Sequence, residues 1–188
     1  MKSAADILAI LQSRFGDRIL KSKLDVADPF LVVAPDSLVE ICACLKESPD
    51  LAFDTLMCLS GVDYKGLKDE PERIEVVYHL FSMQHRHQIV LKVELGRENP
   101  RVPTVESIWA IANWHEREAY DMLGIVFEGH SDLRRILCPD DWVGFPLRKD
   151  YEQPKTYRGM PVAPTKQFVE MAMEGMPVGT NPFVADQN

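Results

Sequence analysis

Between residues 89 and 95 apolar and polar positions trade places with a period of two. Ile74 to Phe81 and Gln88 to Leu95 are rich in β-branched and aromatic residues, and Ile89, Leu91, Val93 and Leu95 alternate with polar partners. This is the pattern of half-buried strands. The polar link around Gln84 and His85 suits a hairpin, which places His85 and His87 near its turn and in solvent. Elsewhere the period lengthens. Ser3 and Asp6 resemble a capping box opening an amphipathic helix that runs to Phe15 and stops at Gly16; Ile7, Leu8, Leu11 and Phe15 share its apolar face. Leu24 to Val33 reads as extended, broken at Pro29. Ser37 and Glu40 form a second capping box before a helix with Leu38, Ile41, Cys42 and Leu45 at core spacing. Leu51 to Leu59 is apolar and fits a strand or a helix. Pro100 and Pro103 interrupt the sheet pattern, and a helical region is predicted from about Val105 to Leu123, ended by Gly124. The sum is an α/β chain of the α+β type, with helices packed on a mixed, antiparallel-rich sheet.

From about Gln153 the pattern changes. Pro154, Pro161, Pro164, Pro177 and Pro182, with Gly159, Gly175 and Gly179, leave room only for a short helix at Thr165 to Gly175. The division expected is a domain over 1–152 and an extended tail over 153–188 with little core of its own. The tail still carries Met160, Val162, Phe168, Met171, Met173, Met176 and Phe183, which a purely solvated segment has little use for. That points to docking on another protein.

Composition narrows the function classes. With 188 residues, 46% apolar and 27% charged, the chain is of ordinary globular make-up. Its net charge of −8 opposes a phosphate backbone. The Asp132 to Arg158 stretch is nearly neutral, with six cations against five anions. Its interleaved charges with Trp142, Phe145 and Tyr151 suit a protein interface instead. No apolar run approaches the ~20 residues that span a bilayer. Neither a secretory signal nor an Arg-rich transit segment is expected, so the simplest compartment is the bacterial cytoplasm. Cys42, Cys44, Cys58 and Cys138 form no C-x-x-C pair and read as reduced, mostly buried, structural residues.

The densest chemistry lies in Trp114-His115-Glu116-Arg117-Glu118-Ala119-Tyr120-Asp121-Met122-Leu123. At ~100° per residue, Glu116, Tyr120 and Leu123 share one helix face, Arg117, Asp121 and Trp114 a second, and Glu118, Met122 and His115 a third. Every face mixes charge with bulk. The pattern predicts a helix surrounded by protein, its charges paired with Arg134, Arg135, Arg148 and Lys149. Glu116 and Glu118 face away from each other, so they cannot flank one bond as a catalytic pair. His115-Glu116 begins like H-E-x-x-H, but Ala119 stands where the second ligand belongs. No G-x-S-x-G, G-x-G-x-x-G or phosphate loop occurs. The residues therefore offer neither a catalytic set nor a cofactor or metal site.

Glu116-Arg117-Glu118, Asp121-Met122-Leu123, His130, Arg134 and Ile136-Leu137, at their spacings, together resemble the signature of the C-type subunit of NADH-quinone oxidoreductase. This is the 30-kDa subunit family of respiratory complex I. Pro139-Asp140-Asp141-Trp142, Pro146-Leu147-Arg148-Lys149-Asp150-Tyr151, Gly61-Val62-Asp63-Tyr64 and Val102-Pro103-Thr104-Val105 are similar to further blocks of the same family, so the likeness spans about Leu51 to Pro154. Ser131 stands where the family usually has Pro and Phe145 where His is frequent; neither is expected to touch the charged framework.

The resemblance implies a non-catalytic subunit of the hydrophilic arm of a proton-translocating NADH:quinone oxidoreductase. It would scaffold the D-type, 49-kDa subunit near the quinone site, with the B- and I-type subunits close by. FMN and iron–sulfur clusters would lie in partner subunits, NADH and quinone would be substrates of the whole complex, and this chain would hold no cofactor. Its place would be peripheral, on the cytoplasmic side of the bacterial inner membrane, as a separate polypeptide. The residues marked for the interface are Glu116, Arg117, Glu118, Asp121, His130, Arg134, Arg135, Trp142, Arg148, Lys149, Asp150 and Tyr151. The same motif also fits the equivalent subunit of a membrane-bound hydrogenase or a ferredoxin- or F420-linked dehydrogenase.

Overall fold

The computed structural model describes residues 2–68 and 70–162. The chain divides into two units, Met1–Tyr151 and Glu152–Asn188. In the first, helix α1 (Ala4–Phe15) opens with the expected capping box at Ser3 and Asp6 and ends at Gly16, whose φ of 49° few other residues would adopt. Strands β1 (Ile19–Lys23) and β2 (Phe30–Val33) follow, then α2 (Leu38–Glu47). The second capping box does not form. Pro35–Ser37 is a 3₁₀ turn, Ser37 makes no side-chain cap, and Glu40 pairs instead with Arg18. β3 (Thr55–Asp63) settles the Leu51 to Leu59 ambiguity in favour of a strand, and β4 (Ile74–Ser82) and β5 (His87–Leu95) make the predicted hairpin.

The five strands run in the order β1-β2-β5-β4-β3, every pair antiparallel except β2 with β5. Alternation sorts the side chains. Ile74, Val76, Tyr78 and Leu80 of β4 and Ile89, Leu91 and Val93 of β5 join one cluster with Ile7 and Leu11 of α1 and Ile41 and Leu45 of α2. The helices thus cover a single face of the sheet. His87 belongs to this inner face and not to solvent. It is 2% exposed, and its Nε2 lies 2.7 Å from the Leu51 carbonyl. Desolvation lowers its pKa despite that bond.

After β5 the chain makes β6 (Arg101–Pro103), α3 (Ala112–Leu123) and β7 (Val126–Glu128), with β6 and β7 paired in parallel as a separate ribbon. The helix is shorter than the Val105 to Leu123 expected. Residues 106–111 run as turns, and Trp109 is anchored by its indole N–H donating to the Phe53 carbonyl at 3.0 Å. α3 lies against β3, and Gly61 permits the contact: a Cβ there would meet Leu123 Cδ1 at 2.4 Å. From Gly129 to Tyr151 the chain has no regular element. In the second unit the described residues form a small hairpin, β8 (Thr156–Tyr157) with β9 (Met160–Pro161). The predicted helix at 165–175, and Phe168, Met171, Met173, Met176 and Phe183, lie outside the described residues.

Candidate functional site

The irregular segment after β7 needs something other than a ladder to hold it. Asp121 of α3 supplies that. Its side chain is fully buried. Oδ2 accepts three successive amides, from Ile136 at 3.0 Å, Leu137 at 2.7 Å and Cys138 at 2.9 Å. Oδ1 accepts from Arg135 at 2.6 Å, and the same guanidinium reaches the carbonyls of Asp121 and Gly144. Burial pushes the carboxyl pKa up, but the three amides and Arg135 outweigh it and hold the group below its ordinary range. One carboxylate therefore fixes the segment at three consecutive residues.

Arg148 extends the hold with no ion pair among the described residues. Its Nε donates to the Leu123 carbonyl at 2.7 Å and its Nη1 to the Arg97 carbonyl at 3.2 Å, satisfying the C-terminal end of α3. The Phe145 ring lies beneath both Arg135 and Arg148, at 5.5 and 5.1 Å from the guanidinium carbons. The ring also closes over Gly124, where φ is 73° and a Cβ would meet it at 2.5 Å.

A second clamp sits at the end of β3. Asp63, with a side chain 1% exposed, takes a bidentate pair from Arg97 at 2.9 and 2.8 Å, together with the amides of Lys149 and Lys65, each at 3.0 Å. Burial opposes ionisation, yet Arg97 and the amides bring this pKa down to about 2. Asp150 bridges Arg97 and Lys65 at 3.0 and 3.2 Å, and these cations hold its pKa well below the usual range.

Glu116 forms the third node. It is 0% exposed; Oε1 accepts the Val105 amide at 2.8 Å and Oε2 accepts from the Thr104 hydroxyl. Burial raises its pKa against those bonds. His130 Nδ1 accepts the Asp132 amide at 3.0 Å, so in the neutral ring Nε2 carries the proton and faces the Asn113 carbonyl at 3.2 Å. That nitrogen also lies 3.5 Å from Glu106 and 3.9 Å from Glu116.

The charge pairing around α3 differs from the one expected. Of the four cations expected to pair with α3, only Arg135 does. Arg134 is exposed and pairs with Asp132 at 2.9 Å, and Lys149 contributes its backbone amide. Glu116 is served by Thr104, Val105 and His130, with no arginine. Arg117 is buried between the Trp114 ring, 4.9 Å away, the Arg134 carbonyl and Asp132. Glu118 is exposed and has no ion pair among the described residues, and Trp114 is 60% exposed, so α3 is open to solvent on one side. Trp142 and Tyr151 are half-buried within the segment, Tyr151 against Gly144. Both departures from the family pattern do touch the framework: Phe145 as described, and Ser131 through its amide and hydroxyl, which donate to Glu106 at 2.7 and 3.0 Å. Sequence reasoning assigns no role to Asp63, Arg97, Glu106 or Thr104. Asp63 and Thr104 do lie within quoted family blocks; Arg97 and Glu106 carry no local signal.

Chemically this is a set of anchors. The buried carboxylates Asp121, Asp63 and Glu116 are occupied by amides, a hydroxyl or a guanidinium, and each holds a loop to α3 or to β3. Among the described residues no group of three or more His, Cys, Asp or Glu side chains is placed to hold a metal ion. The four cysteines are free, Cys42 buried and the other three half-buried. Among the described residues no helix is long and apolar enough to cross a membrane. The anchored segment presents Leu137, Val143 and Leu147 outward, 63%, 82% and 59% exposed.

Comparison with known proteins adds four findings. A family model described as the respiratory-chain NADH dehydrogenase 30 Kd subunit matches residues 31–157. A C-type subunit of NADH-quinone oxidoreductase from Chloroherpeton thalassium is 46% identical over 155 residues, covering 81% of this chain and 62% of that relative's length. Among solved structures, a trypsin-resistant fragment of Nqo5 is 32% identical with a TM-score of 0.59, covering 68% of this chain and 98% of the fragment. A chain of the membrane-bound sulfane sulfur reductase, an archaeal respiratory membrane complex, shares the fold with a TM-score of 0.63 at 21% identity, over 97% of this chain and 96% of its own.

Proposed function

The chain belongs to the respiratory-chain NADH dehydrogenase 30 Kd subunit family, and from that premise we propose that it is a non-catalytic structural subunit of an NADH:quinone oxidoreductase. It holds the large 49-kDa-type subunit in place near the quinone site, with the B- and I-type subunits adjacent, on the cytoplasmic side of the membrane. FMN and iron–sulfur clusters belong to its partners. The observation that carries this reading is the Asp121 cradle. A buried carboxylate that freezes an irregular segment, while that segment displays Leu137, Val143 and Leu147 to solvent, is the arrangement of a preorganised docking surface. The residues that shape this surface are Asp121, Arg135, Arg148, Phe145 and the Asp63 clamp; the 153–188 segment serves as a second docking element. The shared fold of the archaeal respiratory complex supports a second reading, an equivalent subunit in a related membrane assembly.

The test is the double substitution Leu137→Ser with Val143→Ser. Both side chains are exposed, so the melting behaviour should stay within about 1 kcal/mol of the parent. The amount of chain recovered with the large subunit in mild-detergent purification should fall severalfold. Full recovery of an intact complex would overturn the scaffold reading.

A further inference from the structure

Among the described residues β3 is the last strand of its sheet, and none of them forms a strand along its outer edge. Alternate residues of such a strand direct N–H and C=O away from the sheet. Among the described residues, no backbone group between Leu56 and Val62 bonds to any element other than β4. An opening of about 120 Å³ lies between this strand and α3, lined by Leu59 and Gly61 of β3, by His115, Glu118 and Met122 of α3, and by Leu147. A second opening lies along the same strand at Thr55 and Leu56, against Ile108 and Ile111. The register irregularity between Leu56 and Cys58 separates the two, while Cys58 to Asp63 pairs with β4 without a break. Glu118 is the one charged side chain lining the first opening, and it has no ion pair among the described residues.

We infer that the free edge of β3 and the facing side of α3 form a groove that accepts an extended segment of a different polypeptide of the same complex. That segment adds to the sheet as a further strand along Cys58 to Val62. It places an aliphatic side chain in the opening beside Leu59 and Met122 and a Lys or Arg, two residues away on the same face, against Glu118. Backbone pairing supplies the attachment, and the lone carboxylate supplies the choice of partner and its register. The inference rests on the reading of this chain as a subunit of an assembly.

The experiment places p-benzoylphenylalanine at Ser60 in the full chain within the purified complex. Irradiation should give adducts confined to one stretch of another subunit that carries an aliphatic residue beside a Lys or Arg. Amide exchange over 58–62 should slow at least tenfold in the complex relative to the isolated full chain. Glu118→Lys should cut adduct formation from Ser60 about tenfold, and reversing the partner's cation to Glu should restore it. Adducts to a second copy of this chain, or no adduct with equal exchange in both states, would overturn the inference. Absence of co-purifying subunits would instead overturn the proposed function, whereas full co-purification without a groove adduct would sink only this docking groove.

Discussion

Replacing Asp121 by Asn tests the anchoring argument most directly. Asparagine keeps the size of the side chain, so packing changes little. It leaves one acceptor oxygen where the carboxylate had two, and it turns an amide group of donors toward donors. The carboxylate now takes Arg135 at 2.6 Å and three amides at 2.7–3.0 Å, all with its side chain fully buried. Removing one partner of such a buried pair costs about 3–5 kcal/mol. For a unit of this size that is a fall in Tm of roughly 6–20 °C. If the segment releases locally, amide exchange at Ile136 to Cys138 should quicken by roughly a hundredfold to several thousandfold, since 1.4 kcal/mol is a factor of ten. The pH dependence adds a second handle. The folded pKa of Asp121 lies below its unfolded value, so the stabilisation is complete above about pH 4 and is lost as pH falls through the folded pKa. The gap between parent and variant should therefore narrow in acid. Urea unfolding of both proteins at pH 7 and pH 3, with exchange measured at pH 7, decides it. A variant within 1 kcal/mol of the parent at pH 7, or a gap that persists unchanged in acid, would refute the reasoning.

Two further perturbations address the other anchors. Asp63→Asn should cost about 2–3 kcal/mol at pH 7, from a carboxyl depressed from an ordinary 3.8 to about 2, and this cost should fade as pH drops from 4 to 2 in denaturant titrations. Gly124→Ala combines a strained φ of 73° with a Cβ driven into the Phe145 ring, and should cost about 2–4 kcal/mol by thermal melting. Adding Phe145→Leu to that variant should recover the steric part and leave the backbone part, so an equal loss from Gly124→Ala with and without the shortened ring side chain would contradict the packing account.

The hairpin of β4 and β5 is plain in the sequence because one face is buried along its whole length, which imposes alternation. Ile19 to Lys23 is not, because an edge strand with four exposed positions shows no such alternation. β6 and β7 escape notice for a different reason: each has three residues, and their pairing depends on a partner more than twenty positions away. Nearness to the turn suggests a solvated His87, yet β5 begins at that residue and turns its ring inward. For the site, the charge-dense helix stands out, and Arg135 can be anticipated as one of four candidate cations, but not the carboxylate it meets. What local spacing does not reveal is that carboxylates here prefer amides. Asp121 takes three backbone N–H groups, Asp63 two and Glu116 one, and these are groups that nearly every residue owns and no motif marks.

The grip of Asp121 on three successive amides also works as a ruler. Oδ2 meets Ile136, Leu137 and Cys138 only if the chain between the helix and the grip has its present number of residues. A single deletion between Met122 and Arg135 would offer the carboxylate the wrong triplet, pull the guanidinium out of reach and swing Leu137 off its outward bearing.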